Sequence, residues 1–80
     1  MDEWLAELAT TLGTEPAGPG EIAELLDVAR DVAHGVERKA TPVATYLLGL
    51  TVQRRIGEGA SRAEALEGAL ADLRRAMLSA

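Results

Sequence analysis

The residues best equipped for chemistry gather around the single histidine. The stretch DVARDVAHGVERKATP, Asp27 to Pro42, carries His34 together with Asp27, Arg30, Asp31, Glu37 and Arg38. Steps of three and four link these positions, so on one continuous helix they share a polar stripe. A histidine there can act as proton donor, single metal ligand or partner-recognition group. The ordinary alternative is a solvated helical face. Pairs such as Asp27–Arg30 and Asp31–His34 would lace it, each worth about 0.2–0.5 kcal/mol. A structural version has Arg38 or His34 bonding carbonyls at the helix end, which would lock the corner to Thr41.

Nothing else in the chain supplies a second catalytic component. There is no cysteine, and one histidine cannot build a multi-histidine zinc site within a single chain. No HExxH, no Ser/His/Asp order and no paired-carboxylate pocket can be named. Ser61 and Ser79 have structural or terminal places. The loop GTEPAGPG, Gly13 to Gly20, is glycine-rich, but no strand precedes it, so it makes a poor phosphate loop. No catalytic residue, metal ligand or cofactor is therefore assigned. The doublets Arg54–Arg55 and Arg74–Arg75 fall in the last turns of helices, where cations complement the dipole. Trp4 reads as a packing residue; exposed, it would mark an interface.

Composition narrows the class further. A net charge of −5 gives no general attraction for phosphate backbones, and Trp4 and Tyr46 are the only aromatic residues. Nucleic-acid binding and a base-stacking platform are both disfavoured. No stretch approaches the roughly 20 apolar residues that span a bilayer. The acidic start MDEWLAEL argues against a leader peptide, so a bacterial cytoplasmic protein is expected.

The elements that must carry these residues are all helical. Helix 1 is expected from about Asp2, its cap, to Leu12, with Gly13 closing it and Leu5, Leu8 and Leu12 on one stripe. Helix 2 is expected from Pro19 to Lys39, burying Ile22, Leu25, Leu26, Ala29, Val32, Ala33 and Val36. Helix 3 should start with Thr41 as cap and Pro42 at its first position. It should run to Ile56 with Val43, Leu47, Leu50, Val52 and Ile56 inward. Helix 4, from Ser61 to about Leu78, opens on the capping box SRAE and carries the seam Leu66, Leu70, Leu73 and Met77. The fold expected is all-α: one domain over the whole chain, a small antiparallel bundle of four helices, with short helix 1 packed on helices 2–4. Gly35 would allow a close approach to Ala44 or Thr45, whereas Gly68 would merely be tolerated. About 80 residues bury little apolar surface, so a homodimer through the helix 4 seam is expected.

The same stretch carries a resemblance. Leu25 to Leu50, with Trp4–Leu5, Ala-Arg-x-Val-Ala-His-Gly-x-Glu-Arg at Ala29 to Arg38 and a proline-led helix from Pro42 to Gly49, resembles a small family of unknown function from high-G+C bacteria. The chain departs from that pattern at Thr41 and in its long glycine-rich loop. Segments related to this family also occur attached to molybdenum-cofactor guanylyltransferase-like proteins. The resemblance implies an accessory role in molybdopterin-guanine dinucleotide biosynthesis and strengthens a recognition role for His34, Glu37 and Arg38. The function expected is a non-catalytic helical module that binds a protein partner, such as a molybdenum-cofactor nucleotidyltransferase. The candidate binding residues are His34, Glu37, Arg38, Arg30 and Asp31. The alternative is a small-molecule or nucleotide-binding protein using His34, Arg38 and Arg30 at the corner. An enzyme in its own right would need a site shared between subunits.

Overall fold

Three chain breaks decide the architecture, and each has a local cause. The computed structural model describes residues 1–80 and contains helices α1 (Asp2–Leu12), α2 (Pro19–Gly35), α3 (Ala40–Gly57) and α4 (Arg62–Met77), with no strand. The first break follows α1. Gly13 takes the left-handed conformation at φ 74°, and its N–H returns to the Ala9 and Thr10 carbonyls. Glycine adopts that conformation without a Cβ penalty. Pro19 then opens α2 at a position whose N–H needs no partner.

The second break comes earlier than the hydrophobic pattern suggests. Helix α2 ends at Gly35, not at Lys39, and Val36 leaves helical geometry at φ −119°, ψ −81°. Pro42 rules out one continuous helix through this corner. In a continuous helix its ring would clash with the Arg38 carbonyl, and it has no N–H to donate there. The chain instead breaks at Gly35–Val36, where both the Val36 and Glu37 amides reach back to the Val32 carbonyl. Pro42 then sits in the first turn of α3, where a missing N–H costs nothing. Thr41 is not the cap expected of it. Lys39 occupies that place without a side-chain bond, while the Thr41 hydroxyl points to the Ala29 carbonyl at 3.5 Å. The third break ends in the expected capping box: Ser61 Oγ accepts the Glu64 N–H, and Glu64 accepts the Ser61 N–H.

Side-chain pairs fix the directions. Glu21 meets Arg62, Asp31 meets Arg74 and Gly35 faces Met77, so α2 and α4 run the same way. Helix α3 returns antiparallel to both and packs most closely on α4. The shared core is Val28, Leu48, Leu66, Ala69 and Leu70, with Leu25, Val52 and Leu73 against it. Leu66 and Leu70 are thus spent inside the bundle, and the helix 4 seam is not free for a dimer. Several expected core residues lie outside: Leu12, Leu26, Val36, Val43, Leu47 and Leu50 are exposed. Val28, absent from the expected core, is fully buried. Helix α2 has an apolar arc broader than the core it meets, and its Leu25–Val28–Val32 edge is the one that turns inward.

Helix α1 is the loosest member of the bundle. It makes no close backbone approach to the other helices, and of its residues only Ala9 is buried. Between it and α2 lies a cleft of about 370 Å³ whose apolar lining includes Leu5, Leu8, Leu12, Ile22, Leu25 and Leu26.

The glycine expectations also need correction. Gly35 approaches Met77, not Ala44 or Thr45, and the tight position is Gly68, where a Cβ would stand 3.0 Å from Arg55 Nη1. At Gly49 a Cβ would meet nothing within 4 Å. Gly49→Ala should therefore raise stability by about 0.5–1 kcal/mol. Gly68→Ala should gain clearly less, because the Arg55 guanidinium must move. Urea melts giving equal gains for the two variants would contradict the close approach at Gly68.

Candidate functional site

The structure does not bring the candidate residues around one cavity. His34 sits exposed on the last turn of α2, while Glu37 and Arg38 lie in the α2–α3 corner and not on the helix. The six-membered stripe is therefore interrupted at Val36. Arg30 pairs with Asp27 at 3.3 Å, as its spacing suggests. Asp31 turns from His34 to Arg74 of α4, at 3.1 Å. His34, Glu37 and Arg38 make no side-chain hydrogen bond, so neither His34 nor Arg38 caps the carbonyls at the helix end.

The polar groups that do converge form a framework between helices. Arg62 grips Glu21 with two parallel bonds, Nε to Oε2 at 2.8 Å and Nη2 to Oε1 at 2.7 Å. The same Nη2 donates to the Pro16 carbonyl at 3.1 Å, which ties the 13–18 loop to α2 and α4. Glu21 holds the Arg62 guanidinium charged, its pKa raised chiefly by their hydrogen bond. The sequence offered one clue: a cation in the first turn of a helix opposes the dipole and needs a carboxylate. At the other end Asp72 accepts from both Arg55 and Arg75. The Arg55 hydrogen bond does most to hold its carboxyl below the usual range. The backbone and side-chain bonds to Ser61 likewise lower the Glu64 pKa. Three of the four doublet arginines thus bridge to carboxylates as well as ending helices.

Part of the open surface is apolar. On α3, Val43, Leu47 and Leu50 recur at steps of four and three with Tyr46 beside them, each more than half exposed. Lys39 and Arg54 continue the stripe at its two ends. The opposite side of the same helix buries Leu48 and packs Val52 on the core. Helix α3 is therefore apolar on two faces and has no carboxylate along its length. Trp4 is also 62% exposed, so it is not the packing residue expected of it. A second cleft, lined by Glu21, Glu24, Arg62, Ala63, Leu66 and Glu67, opens between the starts of α2 and α4. Neither cleft includes His34, Glu37 or Arg38. No cluster of side chains suited to a metal ion is present. The hydroxyls of Thr10, Thr41, Thr45 and Thr51 all donate to main-chain carbonyls, and Ser61 is held in its cap. What the arrangement offers is surface for binding, with no nucleophile set beside a base. No helix is long and apolar enough to cross a membrane.

The family described as a domain of unknown function (DUF6457) matches residues 1–80, and the chain belongs to it. The chain is also similar to a tRNA(Ile)-lysidine synthase of Nitratidesulfovibrio vulgaris (strain Hildenborough), 37% identical over 75 residues. The similarity takes in 81% of this chain and 21% of the synthase, so the chain spans a small part of that relative's length. No solved structure matches the chain.

Two expectations follow from the ionic framework. Glu64 and Asp72 both have lowered pKa values, from ordinary values of 4.5 and 3.8. A lowered carboxyl pKa means that the folded state binds fewer protons than the unfolded chain. The stabilisation is then complete above those ordinary values and is lost as pH falls through the lower, folded ones. Glu64→Gln should melt below the parent near neutral pH, with the gap closing in acid. A gap that stays constant down to about pH 3 would show that the carboxylate charge is not what the cap uses. The second concerns the clamp. Arg62→Lys should cost about 1 kcal/mol or less, because the pair is partly exposed. It should speed amide exchange in the 13–18 loop and α1 while leaving the α3–α4 core unchanged. Unaltered loop exchange would mean that the clamp does not hold it.

Proposed function

We propose that this DUF6457 member is a non-catalytic helical module that works by presenting the outer face of α3 to a protein. The observation that carries the reading is the stripe of Val43, Tyr46, Leu47 and Leu50, all more than half exposed on a helix whose other face is already packed. Scattered apolar residues on a surface are ordinary, but a contiguous helical stripe is the kind of patch that marks an interaction site. His34, Glu37 and Arg38, unpaired at the neighbouring corner, supply a polar rim, which such patches characteristically have. Similarity to a limited part of a larger protein also fits a module.

The small-molecule alternative has less in its favour. Arg30 and Asp31 are engaged by Asp27 and Arg74, and neither of the two main clefts reaches His34 or Arg38. The molybdopterin-guanine dinucleotide setting, with a nucleotidyltransferase as partner, rests on the sequence resemblance alone. The tRNA(Ile)-lysidine synthase relative gives it no support. A cytoplasmic location belongs to the same proposal.

The test compares protein capture from an extract of the host by the immobilised full chain and by its Leu47→Glu variant. Leu47 is exposed, so the change opens no core cavity and should alter stability by about 0.5 kcal/mol or less. Proteins retained by the parent chain should be lost by Leu47→Glu and reduced by His34→Ala and Arg38→Ala. Undiminished capture by all three variants would overturn the reading.

A further inference from the structure

The outer face of α3 has a charge pattern that its own copy can satisfy. Along the stripe the order is Lys39, Val43, Leu47, Leu50, Arg54 and Glu58, with the lysine capping the start of α3 and the glutamate its end. All six are exposed. An antiparallel partner α3 placed with Leu47 against Leu50 of the second copy sets Val43 against the aliphatic stem of Arg54 of that copy. The same register sets Lys39 opposite Glu58. A two-fold axis repeats each contact, so two leucine pairs lie at the centre and one ion pair at each end. The helix dipoles oppose one another in this arrangement. A parallel pairing would stack Lys39 on Lys39 and align the dipoles.

The chain is also more open than its mass alone requires. The chain of 8.4 kDa exposes 5809 Å². A compact monomer of that mass exposes about 4,600 Å². The surplus of about 1,200 Å² belongs to the whole molecule, loosely held α1 included, and the exposed Val43, Leu47 and Leu50 supply part of it. Net charge of −5 opposes self-association in general. Within the stripe the one carboxylate is Glu58, which the Lys39 pairing uses, and α3 itself carries none.

We infer that the α3 face is filled by a second copy of this chain, paired antiparallel through Leu47 and Leu50 and keyed by Lys39 with Glu58. This rests on the interaction reading above and names its occupant. The seam is distinct from the α4 leucines, which the core consumes.

Sedimentation equilibrium of the full chain tests it. The parent should have twice the 8.4 kDa chain mass at high micromolar concentration. Leu47→Glu should sediment as a monomer with its helical circular dichroism retained. Lys39→Glu places like charges at both ends and should raise the dissociation constant about tenfold. Lys39→Glu combined with Glu58→Lys should return it to within about threefold of the parent. A parent that is monomeric at every concentration overturns the inference, as does a dimer untouched by Leu47→Glu. A double variant no tighter than Lys39→Glu alone overturns the antiparallel register. A monomeric parent whose captured proteins are still lost by Leu47→Glu would sink self-pairing and leave the interaction reading standing.

Discussion

One shallow core sets the terms for the whole molecule. Val28, Leu48, Leu66, Ala69 and Leu70 are what α2, α3 and α4 share, and there is no phenylalanine to enlarge it. Two of the three large helices contribute a single residue each to that cluster. Burial at about 25 cal/mol per Å² gives such a core little beyond the entropy of ordering the chain. The molecule therefore relies on ties at its edges. Arg62 with Glu21 fastens the starts of α2 and α4, Arg74 with Asp31 ties them again near their ends, and Arg55 with Asp72 joins α3 to α4 between. Each is weak alone. The two α2–α4 ties fix the parallel run of those helices, which so small a core specifies poorly.

The small core also explains how much of the fold was legible in the sequence. Gly13, Pro19 and the SRAE box mark their boundaries through local backbone chemistry, and the structure places them where that chemistry requires. The end of α2 was misread because Val36 continued the apolar spacing. Pro42 forbids a helix through the Arg38 carbonyl, but no local pattern marks Gly35–Val36 as the place where the chain turns. Val28 was missed for a related reason. Periodicity marks an apolar arc, but when the arc is wider than the core, only packing decides which edge goes inside. On α3 the choice fell on Leu48 and Val52, leaving Val43, Leu47 and Leu50 outside.

The candidate site divides along the same line. The spacing of Asp27 and Arg30 gave a local pair, and that pair forms. Asp31 has a partner 43 residues away, which no local pattern announces. Arg62 and Glu21 are separated by 41 residues. His34, Glu37 and Arg38 looked like one stripe only while the helix was taken to continue. Broken at Val36, they become a corner beside the start of α3, and their relevance passes to the apolar face that begins there.

A helix apolar on two faces could in principle be rolled over, burying Leu47 and Leu50 in place of Leu48 and Val52. Polar groups at the edges of the inner face oppose that. Rotation would carry Arg55 away from Asp72 and withdraw its guanidinium from the surface over Gly68. It would also turn the Thr41 hydroxyl from the Ala29 carbonyl. On the far side it would drive Arg54 toward an apolar core, where an unpaired charge is costly. The two arginines of the doublet thus have opposite tasks. Arg55 holds the inner face in place through a carboxylate on α4, and Arg54 keeps the outer face outside. Specificity in this bundle comes less from the shapes of its leucines than from where a few charged ends can be satisfied.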